Sequence, residues 1–595
     1  MQKILLYIFI FSIFNILVGL GHSVYATDFS VEIEKIYTIS TPNEVEVVET
    51  RKITNNSSNR IISKENQESF QIIIVGNNTD KLQPSLFSAK TFIGNRIVQN
   101  NSGLTTENTT DILVPYDGNI EVGGTKEFRI TYTNYGLASA TGALIDMYAP
   151  GFNKDYTFQS DNTRYKYKTV VKINKVLGEI GFMVPVPSRE YIEGNYIVYE
   201  ISQESLVGSK IWLQIGKAQY YSFLLTQDVK ASESINKGYS NEYHLIIPRD
   251  MSEVETTQSV WFESFDPEPK EIKTDNEGNI IATFKILSNE NTKIVVKGYA
   301  EVKRSGNQAN LSNSGEISQI DSTKFQRYLG EADFWEVTHP EIVQKATTLK
   351  AQESNIYKII ENTYTELIDT IDYSEVKRFG INERQGALKT LRGGAAVCME
   401  YSDLFLALSR AQGIPARAAF GYGYDSRIGN DSQEAHQWVQ VYLPGQNQWL
   451  SVDVTWGESG TSMIGGDLNH FYTHVATEDP QTPPSVQRVS FGNNEPLEPP
   501  AFEILAIKEL PEGVVLASVK DVLEKYPVIE KTQFEAFLDE FGVKIKASQL
   551  PTFMIGRGDL VLFIGALFII LSLVLFVKLL SGAISGRQEK SDSVV

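Results

Sequence analysis

The chain contains a single cysteine, Cys398, in the run Arg392-Gly-Gly-Ala-Ala-Val-Cys398-Met-Glu-Tyr-Ser-Asp-Leu-Phe-Leu-Ala-Leu-Ser-Arg410. A glycine-containing loop precedes it and strong helix formers follow, so the thiol is expected at the start of a helix. There the unpaired backbone N–H groups and the positive end of the helix dipole favour thiolate over thiol. A thiolate is the nucleophilic form of cysteine, and such a setting suits attack on a carbonyl carbon. A lone buried cysteine can also be an inert apolar side chain, so the neighbours decide.

Two further residues complete a set that could do this chemistry. His436 lies in Ala435-His-Gln-Trp-Val-Gln-Val-Tyr-Leu443, and Asp453 in Trp449-Leu-Ser-Val-Asp-Val-Thr455; both runs read as strands. Pro444-Gly-Gln-Asn-Gln448 between them has hairpin composition, which predicts antiparallel pairing. The start of one strand then lies beside the end of the next, and the Asp453 carboxylate can hold the His436 ring in one tautomer. A thiol, a base and an orienting acid result.

The helix after Cys398 needs a buried face to hold the thiol in place, and Leu404, Phe405 and Leu408 supply it. Gly413-Ile-Pro-Ala-Arg417 breaks the helix, and Ala418 to Tyr422 reads as another strand. Trp438, Tyr422 and Tyr424 fit either the core of these strands or a cleft wall, with core the more frequent place for such residues.

The separations 398-to-436 and 436-to-453, taken with Gly-Ile-Pro-Ala-Arg and His-x-Trp, resemble the transglutaminase-like superfamily. The resemblance spans roughly 340–478. It implies a papain-like α+β core with Cys398 as nucleophile, His436 as base and Asp453 as orienting acid, and no cofactor. Ala396 and Val454 depart from the family's frequent Gly and Pro without touching the triad. An oxyanion hole is also implied, from the Cys398 backbone N–H and one upstream side chain, for which Asn382 and Gln385 are the candidates. Water as acceptor would make the protein a peptidase or amidase, and an amine would make it a crosslinker; hydrolysis is favoured because no amine-selecting feature is visible. The alternative is a catalytically inactive surface interaction protein on the same fold.

Other constellations are weaker. Asp467, His470 and His474 have the four-residue histidine spacing of a metal site on a helix, but no further ligands are evident, so no metal is assigned. Gly457-Glu-Ser-Gly460 lacks the Gly-x-Ser-x-Gly elbow of serine hydrolases. Asp275-Asn-Glu-Gly-Asn279 lacks the spacing of a calcium loop and reads as a hairpin turn.

At 595 residues the chain exceeds a single core, so several domains are expected. Residues 1–26 carry Lys3, an apolar run from Ile4 to Leu20 and the Val24-Tyr-Ala26 pattern of a signal peptide, with an uncleaved anchor as the alternative because the run approaches spanning length. Residues 27–230 and 231–305 show period-two alternation, as in Val31-Glu-Ile-Glu-Lys-Ile-Tyr37, separated by turn clusters; two β-sandwich regions follow, with a boundary near Asp228 to Lys237. Residues 306–490 form the α+β transglutaminase-like domain, with helices expected at Pro340 to Ala351 and Asn355 to Tyr373. Residues 491–557 are a juxtamembrane region with short helices at Ser518 to Tyr526 and Thr532 to Phe541. Residues 558–580 are a transmembrane helix, since Leu560 to Leu580 is apolar except for Ser572 and Lys578. Residues 581–595 form a cytoplasmic tail, marked by Arg587 and Lys590. The expected fold class is therefore multidomain: all-β sandwiches, then the α+β domain, then a membrane helix.

The net charge of −19, from 54 basic and 73 acidic residues, argues against nucleic acid. The expected partner is an extracellular or cell-envelope protein or peptide substrate, met at the outer face of a single-pass cell-membrane protein.

Overall fold

The computed structural model describes residues 28–528 apart from 75–82, 85–89, 101–102, 152–162, 207–209, 232–239, 288–290, 305–312, 381–382, 425–432, 458–462, 482 and 491–492. The expected signal peptide, the helix at 532–541, the apolar segment 560–580, Asn382 and Ser459 lie outside the described residues. Among the described residues, no helix is long and apolar enough to cross a membrane.

Alternating burial along Phe29–Thr41 and Glu44–Asn55 makes half-buried strands, as their sequence pattern predicts. They belong to a seven-stranded sheet ordered Arg189–Glu193, Tyr196–Ile201, Thr163–Asn174, Phe29–Thr41, Glu44–Asn55, Thr125–Asn134, Gln83–Pro84. A four-stranded sheet of Ile180–Val184, Ile211–Ile215, Leu144–Ala149 and Ala138–Thr141 faces it across one apolar core. A separate three-stranded sheet, Gln67–Ile74, Gly103–Pro115 and Lys90–Asn100, completes this region.

The second sandwich differs from the expected boundaries at both ends. Its first strand, Ala218–Val229, runs up to the segment proposed as the boundary and pairs with Thr292–Arg304. Its last strands come from beyond the α+β domain: Val486–Ser490 pairs with Ser240–Ile247, and Ala501–Ile507 pairs with Ala218–Val229. The described part of 491–557 is therefore largely sandwich, with the helix Val519–Lys525 packed on its core. Local composition did not reveal this, because strand pairing at such sequence separation leaves no local signal. Asp275 closes the hairpin between Glu271–Thr274 and Ile280–Leu287, its Oδ1 accepting from the backbone of Glu277 and Asn279.

In the α+β domain, Pro340 opens the helix Pro340–Lys350, and the Asn355 side chain caps Ile356–Thr370. Ile356, Ile359, Ile360, Tyr364 and Leu367 give the second helix its buried face. Both pack against Cys398–Ala411, which lies under an antiparallel sheet ordered Gln448–Val452, Gln433–Leu443, Ala416–Tyr424, His470–Ala476.

Both edges of that sheet meet the second sandwich. Trp449 N–H donates to the Glu253 carbonyl at one edge. At the other, two buried carboxamides take the place of a neighbouring strand: Gln258 accepts from Tyr472 N–H and donates to its carbonyl, both at 2.8 Å. Asn279 treats Val475 in the same way, both at 2.9 Å. Covered edges of this kind need every backbone group paired. Replacing Gln258 with Leu keeps the volume but strands both Tyr472 groups, and is expected to cost about 3 kcal/mol, at about 1–3 kcal/mol per buried unsatisfied group. A thermal melt of the purified variant against wild type measures it.

Candidate active site

Cys398 is the first residue of its helix, as the sequence predicts. Val397 before it is extended and supplies no side-chain cap, which leaves the helix start electropositive beside the thiol. Glu400, in the first turn, reaches back to the Val397 N–H at 3.1 Å and pairs with Lys377 at 2.6 Å. The loop ahead of the thiol is tied down by Ser374 N–H to the Ala396 carbonyl at 2.8 Å and by the Gln385 amide to the Ala395 carbonyl. Gln385 thus braces the loop ahead of the thiol.

One turn further, Asp403 is fully buried and accepts from Trp335 Nε1 at 2.8 Å, from Arg384 Nε at 2.8 Å and from Gln437 Nε2 at 3.3 Å. Ser402 Oγ donates to the Gln437 carbonyl at 2.9 Å. These bonds lock the helix to the strand next to His436, so the thiol and the ring keep a set separation.

His436 lies opposite Gly421 in the sheet, three residues before the Val439–Val452 pair. The strand expected to run through Thr455 ends at Val452, and Asp453 instead begins a short helix, Val454–Gly457. Asp453 Oδ1 accepts from Trp456 N–H at 3.1 Å, which turns its other oxygen toward the histidine. The His436 Nε2 to Asp453 Oδ2 distance is 2.7 Å, and both residues are buried.

Burial opposes a charged His436, but the Asp453 carboxylate and the nearby Cys398 side chain outweigh it and raise the ring pKa to about 10. For Asp453 burial alone would raise the pKa; His436, and after it His470, hold it well below the usual carboxylate range. Trp456 covers the ring at 5.6 Å between centroids, and its own ring comes so close to Gly423 that a Cβ there would meet it at 2.4 Å. Trp456 also faces Trp212 of the first sandwich at 6.3 Å. Cys398 remains partly exposed.

The other singled-out residues separate in space. Tyr424 and Trp438 are buried, Trp438 beneath His436, and Tyr422 stacks on Phe502 of the second sandwich at 4.4 Å. His470 and His474 lie on a strand, not a helix. A bulge at Thr473 interrupts its pairing with Phe420 and Gly421 and parts them. His474 stacks on Phe420 at 4.6 Å, and desolvation lowers its pKa to about 4. His470 turns inward and bonds Asp453 Oδ2 at 3.1 Å. His436, Asp453 and His470 bring ligand-type atoms within 4.8 Å of one another. A divalent ion there would have to displace the protons that join them. Trp456 and the inward His470 were not assigned a role from the sequence; a histidine three residues after an aspartate was the one signal present.

The family model of the transglutaminase-like superfamily matches residues 342–454. Among solved structures, one from Cytophaga hutchinsonii, provisionally assigned as a cysteine protease, is 14% identical. It covers 51% of this chain and 98% of its own, with a TM-score of 0.34. The periplasmic domain of TgpA from Pseudomonas aeruginosa is 16% identical, covering 41% of this chain and 94% of its own, with a TM-score of 0.23. No curated protein matches the chain.

The two raised histidines give a pH dependence of stability. A group whose pKa is higher folded than unfolded stabilises fully below its unfolded value and ceases to do so as pH rises through the folded one. His436 and His470, raised from 6.5 to about 10 and about 9, therefore cost stability over that interval. The melting temperature is expected to fall from near pH 6.5 to pH 10. In Asp453→Asn, which removes the shared carboxylate, that fall should flatten; thermal melts across pH test it.

Proposed function

We propose that this chain, whose residues 342–454 match the transglutaminase-like superfamily, is a thiol acyl-transfer enzyme acting on amide bonds of proteins or peptides. The observation that carries the reading is a partly exposed thiol at a helix start, near a histidine whose Nε2 is held 2.7 Å from a buried aspartate. An inactive interaction module gives no reason for Cys398 to be accessible and next to His436.

The chemistry follows from these groups. In the reacting form Cys398 is the thiolate, the nucleophilic state of cysteine, and His436 the imidazolium. The thiolate sulfur attacks the amide carbonyl carbon, and the negative charge that develops on the carbonyl oxygen faces the backbone N–H groups of the helix start. The C–N bond breaks as His436 gives its proton to the departing amine, leaving a thioester on Cys398. Neutral His436 then takes a proton from the incoming acceptor, the thioester C–S bond breaks, and the thiolate returns. Asp453 stabilises the imidazolium at both ends of the cycle.

Water is our preferred acceptor, which makes the enzyme a peptidase or amidase, because no amine-selecting feature is visible in the sequence. We also propose export and single-pass anchoring in the cell membrane, supported by the apolar segments 4–20 and 560–580, with substrates among extracellular or cell-envelope proteins.

The test is proteomic: a denatured protein mixture is treated with the enzyme in heavy-oxygen water containing a fluorescent primary amine. Heavy oxygen at new carboxyl groups is expected to exceed amine incorporation, and Cys398→Ala should lower both by at least about 10³-fold. Predominant amine incorporation would turn the assignment to transamidation. No Cys398-dependent change of either kind would remove the enzymatic reading.

A further inference from the structure

The polar chain does not stop at Asp453. His470 Nε2 lies 3.1 Å from Asp453 Oδ2, while its Nδ1 lies 2.9 and 3.0 Å from the two oxygens of Asp467. An ionised carboxylate only accepts hydrogen bonds, so a ring bonded to carboxylates through both nitrogens carries both protons and is a cation. His470 is 4% exposed and Asp467 1%. Carboxylate and imidazole therefore alternate along His436, Asp453, His470 and Asp467. Both imidazoles bond the same Asp453 oxygen, so each weakens the pull of that carboxylate on the other's proton.

The loop that presents this second pair is fastened from outside the α+β domain. Asp467 Oδ1 accepts from Asn469 N–H at 2.6 Å and His470 N–H at 3.1 Å. Leu468 N–H donates to Gln214 of the first sandwich at 3.0 Å, and Tyr221 of the second donates its hydroxyl to the Leu468 carbonyl at 2.7 Å. Glu255 accepts from Gly466 N–H at 2.5 Å. All of these residues lie outside the segment matched by the family model.

We propose that His470, charged and held by Asp467, is a positioning residue that acts through Asp453: it aims the shared carboxylate oxygen at His436 and lowers the pH at which His436 gives up its proton. The inference rests on the thiol-enzyme reading above and assigns the sandwiches a part in tuning that site. Asp453 and Asp467 face the His470 ring from its two sides, with His436 and Cys398 beyond the first. Behind Asp467 stand Arg304, balanced by Glu255, and Tyr221, which also feels Asp146 and Tyr424. The two carboxylates outweigh burial at His470, raising its pKa to about 9.

The test uses the full chain, in which Cys398 is the only thiol. Iodoacetamide alkylation is followed from pH 5 to 11 for wild type, His436→Ala, His470→Gln and Asp467→Asn. Loss of the His436 proton appears as an upper inflection in the rate, because the thiolate then loses its cationic partner. Asp467→Asn leaves the ring a hydrogen-bonding neighbour but lets it become neutral, and His470→Gln removes the cation outright. Each is expected to move the upper inflection up by about one pH unit. If His436→Ala slows alkylation while the inflection stays in place in folded Asp467→Asn, the role of His470 is refuted and the triad stands. If alkylation is slow and insensitive to His436→Ala, the triad itself fails, and this inference with it.

Discussion

The Asp453 carboxylate is the constraint around which the rest is arranged. It is buried, ionised and unable to donate, so its charge must be met by hydrogen bonds and opposite charge or it would destabilise the fold by several kcal/mol. Two imidazoles and the Trp456 N–H meet it. One imidazole faces the thiol and the other faces a second carboxylate, so the same requirement that keeps Asp453 tolerable also shapes the reactive end.

The central helix solves a related problem. A helix sunk between helices and a sheet would ordinarily be apolar on every side, yet Glu400, Asp403 and Arg410 are all buried on it. Lys377, Arg384 and a set of backbone carbonyls answer them in turn. Such pairs add little net stability against an apolar core, but their directionality specifies one register between the helix and the histidine strand. Register of this kind is what the proposed nucleophile and base need, since a displacement of about 1 Å can cost about 100-fold in rate.

The sandwiches belong to the same structure rather than standing apart as spacers. Four strands make a small sheet with two exposed edges, and Gln258, Asn279 and the Glu253 carbonyl close them. The sheet curls far enough that Ser451 and Tyr472, on its two edge strands, bring their hydroxyls to 2.9 Å. The strand carrying His470 is thus held in place by side chains from a domain that flanks it in sequence on both sides.

The residues by themselves determined the thiol at a helix start, the antiparallel hairpin that joins His436 to Asp453, and the strand-rich character of the described residues between 28 and 302. These rest on local signals: a glycine loop before helix formers, turn composition between strands, and period-two alternation. Tertiary structure alone decided the rest. Four-residue spacing of His470 and His474 suggested one helix face, but a strand with a bulge at Thr473 sends one inward and the other onto Phe420. Likewise, nothing near 486–507 announces partners at 218–247, because hydrogen bonds between strands so far apart in the chain depend on the assembled core and not on any neighbouring residue.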